Sequence, residues 1–239
     1  MPKGQESTLR TMTTIERWMV NSFSQPLIAA VVPAFNEEIS IASVVLAVKH
    51  YALPIVIDDG SYDETVRLAT QAGALVVSHP HNQGYDAALQ TGLFKAIELG
   101  CTFAITLDAD GQHNPAEIES FKAALLQGAD LVIGVRDRRQ RFSESLFAIT
   151  GRILWSVADP LCGMKGYRLS HLKRLGHFDS YTSIGTEFTL RCARSHLRID
   201  SVPVLTRDRA GVTRFGAGLK ANYRILRALV LGILKAKAF

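Results

Sequence analysis

The residues best placed to do chemistry are Asp108 and Asp110, in the run Ile105-Thr106-Leu107-Asp108-Ala109-Asp110-Gly111-Gln112-His113. An apolar strand predicted near Thr102 to Leu107 delivers this Asp-x-Asp turn to the end of a sheet. Two carboxylates two residues apart can share one divalent cation, leaving its other positions to diphosphate oxygens such as those of a nucleotide-sugar. The cation would then neutralise the leaving diphosphate. With 22 Asp and Glu among 239 residues, acidic pairs at this spacing arise by chance, so the position after a strand carries the reading. Two more polar clusters, Asn36-Glu37 and Asp58-Asp59, also follow apolar runs.

The elements that must position these groups follow from periodicity. Val- and Ile-rich runs alternate with helical patterns, the rhythm of an α/β fold with a mostly parallel, Rossmann-like sheet flanked by crossover helices. Strands are expected near Leu27 to Pro33, Pro54 to Ile57, Ala74 to Ser78, Thr102 to Leu107 and Asp130 to Gly134. Ser61-Tyr-Asp-Glu64 and Asn114-Pro-Ala-Glu117 have the form of capping boxes, and Gly73 and Gly128 that of helix stops. Ligands of open α/β sheets bind beyond the carboxyl ends of the strands, so the three clusters should face one crevice.

Composition narrows the classes. A chain with 47% hydrophobic residues can bury a sizeable core. Cys101, Cys162 and Cys192 are odd in number and widely spaced, which suits neither a disulfide framework nor a zinc site and fits a reducing cytoplasm. His79, His81 and the other histidines show no metal spacing, so zinc hydrolysis is unsupported. No Gly-x-Gly-x-x-Gly turn follows the first strand, which argues against a dinucleotide-binding oxidoreductase. The net charge of +5 is concentrated in the Gly134 to Arg141 segment and in the tail from Phe215 to Phe239, which has no acid. Basic clusters imply anionic partners, or simply solvated faces. Nucleic acid is not expected among them. Residues 1–25 form a predicted loosely ordered leader; Ser22, Ser24, Gln25 and Pro26 interrupt its apolar stretch, so it is no signal peptide. No run approaches the roughly 20 apolar residues that cross a bilayer.

Six motifs occur in order: Val31-Val-Pro-Ala-Phe-Asn-Glu-Glu38, Val56-Ile-Asp-Asp-Gly-Ser61, Asn82-Gln-Gly-Tyr85, Asp108 to Pro115, Asp159-Pro-Leu-Cys-Gly-Met-Lys165 and Arg209-Ala-Gly-Val-Thr-Arg214. Together they make the chain resemble the family 2 glycosyltransferases of the A-type fold, particularly polyprenyl-phosphate sugar synthases related to dolichyl-phosphate mannose synthase. The resemblance implies a catalytic domain over residues 26–215 followed by a basic amphipathic helix over 216–239. It implies that Pro33, Phe35 and Glu37 line the base and ribose pocket of a UDP- or GDP-hexose, with Asp59 accepting a hydrogen bond from the base. The family often has tyrosine at Phe35. From the residues alone, Asn36 and Glu37 could be no more than an N-cap and a first-turn acid, a reading the combination with Asp59 disfavours, and Asp58 could simply orient its own turn. Around the cation, the resemblance implies Asp108 and Asp110 as carboxylate donors and Gln112 as a third ligand, an oxygen set for Mg²⁺ or Mn²⁺. His113 is expected to pack or hydrogen-bond instead.

The acceptor separates close relatives. A phosphate monoester loses its second proton near a pKa of about 6, whereas a hydroxyl resembles water at about 15.7 and needs a base. Ala158-Asp-Pro-Leu-Cys-Gly163 resembles the Asp-x-x-Ser-Gly segment of the lipid-phosphate enzymes, with Cys162 in place of the serine. In the resemblance, Arg136 and Arg209 hold the acceptor phosphate. Asp159 would be the base of a hydroxyl route. The implied activity is metal-dependent, inverting transfer of a hexose from a nucleotide diphosphate sugar to a polyprenyl phosphate. Transfer to a sugar hydroxyl of a growing cell-surface glycan is the alternative. A catalytically silent nucleotide-sugar-binding protein is another, against which the metal carboxylates argue. In the tail, Leu219, Tyr223, Leu226, Val230 and Ile233 share one helical face, and Lys220, Arg224 and Arg227 another. That pattern suits an anionic membrane surface, a buried helix or a membrane-spanning partner. The expected location is cytoplasmic, peripheral on the cytoplasmic face of a membrane.

Overall fold

The computed structural model describes residues 26–137, 142–206 and 219–235. Strands β1 (Ile28–Ala34), β2 (Leu53–Asp58), β3 (Leu75–Ser78), β4 (Phe103–Thr106), β5 (Leu131–Arg136), β6 (Lys165–Arg168) and β7 (Ile199–Val204) form one sheet in the order β3-β2-β1-β4-β6-β5-β7. All pairs are parallel except those of β6, which runs antiparallel between β4 and β5. The chain travels outward from β1 to β3 and returns to β4 beside β1, which places a topological switch point between β1 and β4. The five expected strands are present, shifted by a residue or two at their ends. β6 and β7 were not anticipated. Because β6 is reversed, its first residue, Lys165, lies at the same sheet edge as the last residues of the parallel strands, opposite Thr106.

β1 is buried on both faces. Ala29 and Val31 face a cluster with Leu89 and Leu93 of α3 (Tyr85–Glu98), Phe147 of α5 (Phe142–Trp155), Phe188 of α7 (Glu187–Arg194) and Ile225 of α8 (Leu219–Lys235). Ala30 and Val32 face α1 (Ile41–Val48), α2 (Thr65–Ala72) and α4 (Ile118–Leu126). This double cover is why the strand is a continuous apolar run rather than an alternating one. α6 (Leu169–Leu175) follows β6 directly.

The predicted caps fared unequally. Gly73 ends α2 in the left-handed region, at φ 96°. The Asn114 side chain accepts from the Ala116 N–H at 3.3 Å, capping a 3₁₀ turn, Pro115–Glu117, that leads into α4. Ser61 does not cap α2. Its hydroxyl accepts from the Asn36 N–H at 2.8 Å, and Asp63 takes over by accepting from the Thr65 N–H at 3.0 Å. Asn36, at φ 53°, curls the end of β1 onto this turn.

α8 buries Ile225, Ala228 and Leu229 against the globule. The anticipated apolar stripe is a second one, facing solvent, with Tyr223 67% and Val230 53% exposed. α5 packs beside α8 and exposes Ile149, Ile153 and Leu154. Arg224 is exposed, whereas the Arg227 guanidinium donates to the carbonyls of Tyr181 and Thr182 at 3.0 and 3.4 Å. Among the described residues no helix is long and apolar enough to cross a membrane. Arg209, residues 1–25 and the side chains of Leu219 and Lys220 lie outside the described residues.

Candidate active site

At the carboxyl ends of β1 and β2, the loops that follow the two strands bind each other. The Glu37 N–H donates to Thr65 Oγ1 at 2.7 Å, and Ser40 Oγ donates to Glu37 Oε2 at 3.3 Å. Phe35 meets Tyr62 edge-on at 5.9 Å, and Pro33 is half-buried. Asp58 accepts from the Ser61 N–H at 3.0 Å, so it orients its own turn. Asp59 is more heavily engaged. Its Oδ1 is 2.7 Å from His79 Nδ1 and accepts from the Gln83 N–H at 2.8 Å, while Oδ2 accepts from the Gly84 N–H at 2.8 Å. Among the described residues no second donor reaches Oδ2. With Nδ1 donating to the carboxylate, His79 Nε2 accepts from the Thr91 hydroxyl at 2.9 Å. His79 therefore braces Asp59, a role that metal spacing could not reveal.

Asp108, at the end of β4, differs from every carboxylate around it. Its side chain is 34% exposed, and among the described residues its carboxylate has only long contacts, 3.5 Å to the Tyr85 hydroxyl and 3.7 Å to His113 Nδ1. The Asp108 N–H donates to the same buried Nδ1 at 3.2 Å, which makes His113 a fixing residue for the turn, as expected. Asp110 Oδ1 accepts from the Gln112 N–H at 3.0 Å. Thr106 Oγ1 donates to the Gly163 carbonyl at 2.7 Å and brings that glycine against Asp108. Tyr85 is held well above the usual phenol range by burial and then by the charge of Asp108. Among the described residues no three His, Cys, Asp or Glu side chains form a metal cluster. A cation here would rest on Asp108, Asp110, the Gln112 amide oxygen and oxygens from a bound diphosphate. The open lone pairs of Asp108 and the all-oxygen donor set fit Mg²⁺ or Mn²⁺.

On the β5–β6 side, Arg136 and Asp159 come together, but with each other. Arg136 Nε donates to Asp159 Oδ2 at 2.9 Å and Nη2 to Oδ1 at 3.0 Å, with Glu144 Oε2 3.5 Å from Nη1. Burial opposes the charged guanidinium, but the bonds and charge of Asp159 outweigh it and hold Arg136 above its ordinary pKa. Asp159 is 1% exposed. Burial, then Asp159, pushes the Cys162 thiol up to about 12, so it stays a neutral S–H.

Residues 29–176 match the family model of Glycosyl transferase family 2. An uncharacterised protein of Methanocaldococcus jannaschii is 30% identical over 230 residues, covering 89% of this chain and 94% of its own. The UDP-N-acetylglucosamine–dolichyl-phosphate N-acetylglucosaminyltransferase of Methanococcus voltae is 28% identical, covering 84% of this chain and 95% of its own. Among solved structures, glucosyl-3-phosphoglycerate synthase of Mycobacterium tuberculosis, in complex with Mn²⁺, UDP and glucosyl-3-phosphoglycerate, shares the fold. It superposes with a TM-score of 0.69 at 21% identity, over 93% of this chain and 83% of that one.

Proposed function

Because the chain belongs to glycosyl transferase family 2 and is a glycosyltransferase, we propose that it transfers a hexose from a UDP- or GDP-sugar to a polyprenyl phosphate. The observation that carries this reading is the pairing of Asp159. The carboxylate at the position aligned for a base on the acceptor side, Asp159, is locked in a buried bidentate pair with Arg136. A hydroxyl acceptor would find Asp159 already engaged, whereas a phosphate, ionised near neutral pH, needs no base. The dolichyl phosphate in the names of the Methanococcus voltae and Haloferax volcanii relatives supports the same acceptor class.

Pro33, Phe35, Glu37 and Asp59 Oδ2 would receive the base and ribose. Asp108, Asp110 and Gln112 would hold Mg²⁺ or Mn²⁺, which when bound offsets the charge of the leaving diphosphate. Asp159 and Glu144 fix the Arg136 fork, whose remaining N–H donors would meet the acceptor phosphate, with Arg209 as the second cation. In-line attack by a phosphate oxygen would invert the anomeric carbon. The exposed apolar face of α5 and α8, beside the basic Arg152 and Arg224, supports seating on an anionic membrane where such an acceptor resides.

The test is a matched pair of acceptors, a short-chain polyprenyl phosphate and its free polyprenol, offered with Mn²⁺ and a panel of UDP- and GDP-hexoses. The phosphate should be glycosylated and the alcohol left alone. Transfer to the alcohol would overturn the reading.

A further inference from the structure

The turn before α7 has three residues in the left-handed region: Thr182 at φ 56°, Ile184 at 58° and Gly185 at 66°. For β-branched Thr182 and Ile184 that backbone is strained, so the surroundings must hold it. Asp179 accepts from the Thr182 N–H at 2.6 Å, and two buried ionisable groups hold Ile184 and Gly185 with opposite polarity. Asp86, in the first turn of α3, accepts from the Ile184 N–H at 3.1 Å and from the Gly185 N–H. Lys165, the first residue of β6, donates through Nζ to the Gly185 carbonyl at 2.9 Å. Burial, reinforced by Asp179, raises Asp86 to about 6, and burial lowers Lys165 to about 8. The fold therefore holds both charges against desolvation, a pattern associated with functional sites. The turn is also close to the chemistry. A Cβ built on Gly185 would lie 3.8 Å from Tyr85 Cε1 and 3.7 Å from Lys165 Nζ, and the Tyr85 hydroxyl is 3.5 Å from Asp108 Oδ1. On its outer side the turn takes the Arg227 hydrogen bonds from α8.

We propose that Asp86 and Lys165 are positioning residues that hold the Thr182–Gly185 turn as the acceptor-side wall of the crevice, between the Asp108 turn and the apolar α5–α8 face. Neither touches the reacting atoms. Asp86 fixes the Ile184 and Gly185 N–H groups and Lys165 the Gly185 carbonyl, while Asp179 holds the Thr182 and Ser183 N–H groups from the turn's other side, so the wall cannot rotate away from Tyr85. The proposal rests on the lipid-phosphate reading above and adds to it a specific surface that the acceptor must pass.

The test uses the full chain with Lys165→Met and Asp86→Asn. Gly185→Ala is a third variant that keeps both charges but presses a methyl group towards Leu89, 3.4 Å away. Three quantities are read: amide exchange at Ile184 and Gly185, KM for a short-chain polyprenyl phosphate, and affinity for UDP or GDP with Mn²⁺. In Lys165→Met and Asp86→Asn the two amides should exchange at least about tenfold faster. In all three variants acceptor KM should rise about tenfold, with nucleotide affinity within about twofold of the parent. Unchanged exchange overturns the clamp, and faster exchange with the parent's KM overturns the wall. Loss of nucleotide affinity and thermal stability together would mark a merely structural role. A parent that transfers nothing to lipid phosphate overturns the acceptor reading itself, an outcome distinct from variants that behave like an active parent.

Discussion

Gly163 and Asp108 approach so closely that a Cβ added to the glycine would lie 2.6 Å from Asp108 Oδ2 and 2.7 Å from Oδ1. The Thr106 hydroxyl, bonded to the Gly163 carbonyl, prevents the glycine from backing away. Gly163→Ala must therefore displace the Asp108 carboxylate. Transfer should fall by about 10²-fold, the scale of a 1 Å misplacement, with the thermal midpoint nearly unchanged. A variant with the parent's kcat would show that the position of this carboxylate is immaterial.

The Arg136–Asp159 pair is a structural commitment as well as a candidate acceptor site. Arg136→Met would leave Asp159 buried without its cation, at a cost of about 3–5 kcal/mol in urea unfolding. Replacing both, as Arg136→Met with Asp159→Leu, should recover most of that stability while transfer stays lost. A single variant that unfolds at the parent's midpoint would contradict the burial of the pair.

The strand ends that carry Glu37, Asp59 and Asp108 were legible because each closes an apolar run long enough to show its period. β6 was not, since Lys165-Gly-Tyr-Arg168 has no apolar run of Val or Ile and is a strand only by pairing with β4 and β5. For the same reason the sequence could not show that Asp159 binds Arg136, or that His79 braces Asp59, for these are contacts between segments about 20 residues or more apart in the chain. The Ser61 cap failed because Asn36, remote in sequence, takes the hydroxyl. The outward stripe of α8 was foreseen from its spacing, but the second buried stripe and the matching apolar face of α5 required the packed structure.

Lys165 makes stability depend on pH in a defined sense. Its pKa is about 8 in the fold against 10.5 for the ordinary side chain, so between these values the unfolded chain holds a proton that the folded one has released. Stability from this group therefore rises with pH across that window. Burial causes the depression, the charges of Asp159 and Asp86 oppose it, and that of Arg136 adds to it. Lys165→Met should flatten the rise, measured as the difference in thermal midpoint between variant and parent from pH 8 to pH 10.5. An unchanged slope would mean that Lys165 is not buried as a charged group.

The α5–α8 face should bind lipid through its apolar side chains first and its charges second. The parent should sediment with phosphatidylglycerol vesicles, Ile153→Glu with Val230→Glu should abolish this, and Arg224→Gln should weaken it and reduce its sensitivity to salt. Nucleotide affinity should be unaffected. Vesicle binding by the double variant at the parent's level would remove this face from the account.

The most direct measurement of the central claim follows the acceptor phosphorus and the anomeric proton of the product by NMR. A lipid phosphate monoester shifts as its second proton titrates near a pKa of about 6. The account predicts that this titration disappears on glycosylation, because the phosphate becomes a diester, and that an α-linked donor gives a β-linked product. A product whose phosphorus still titrates, or whose sugar keeps the donor's anomeric configuration, would contradict inverting transfer to phosphate.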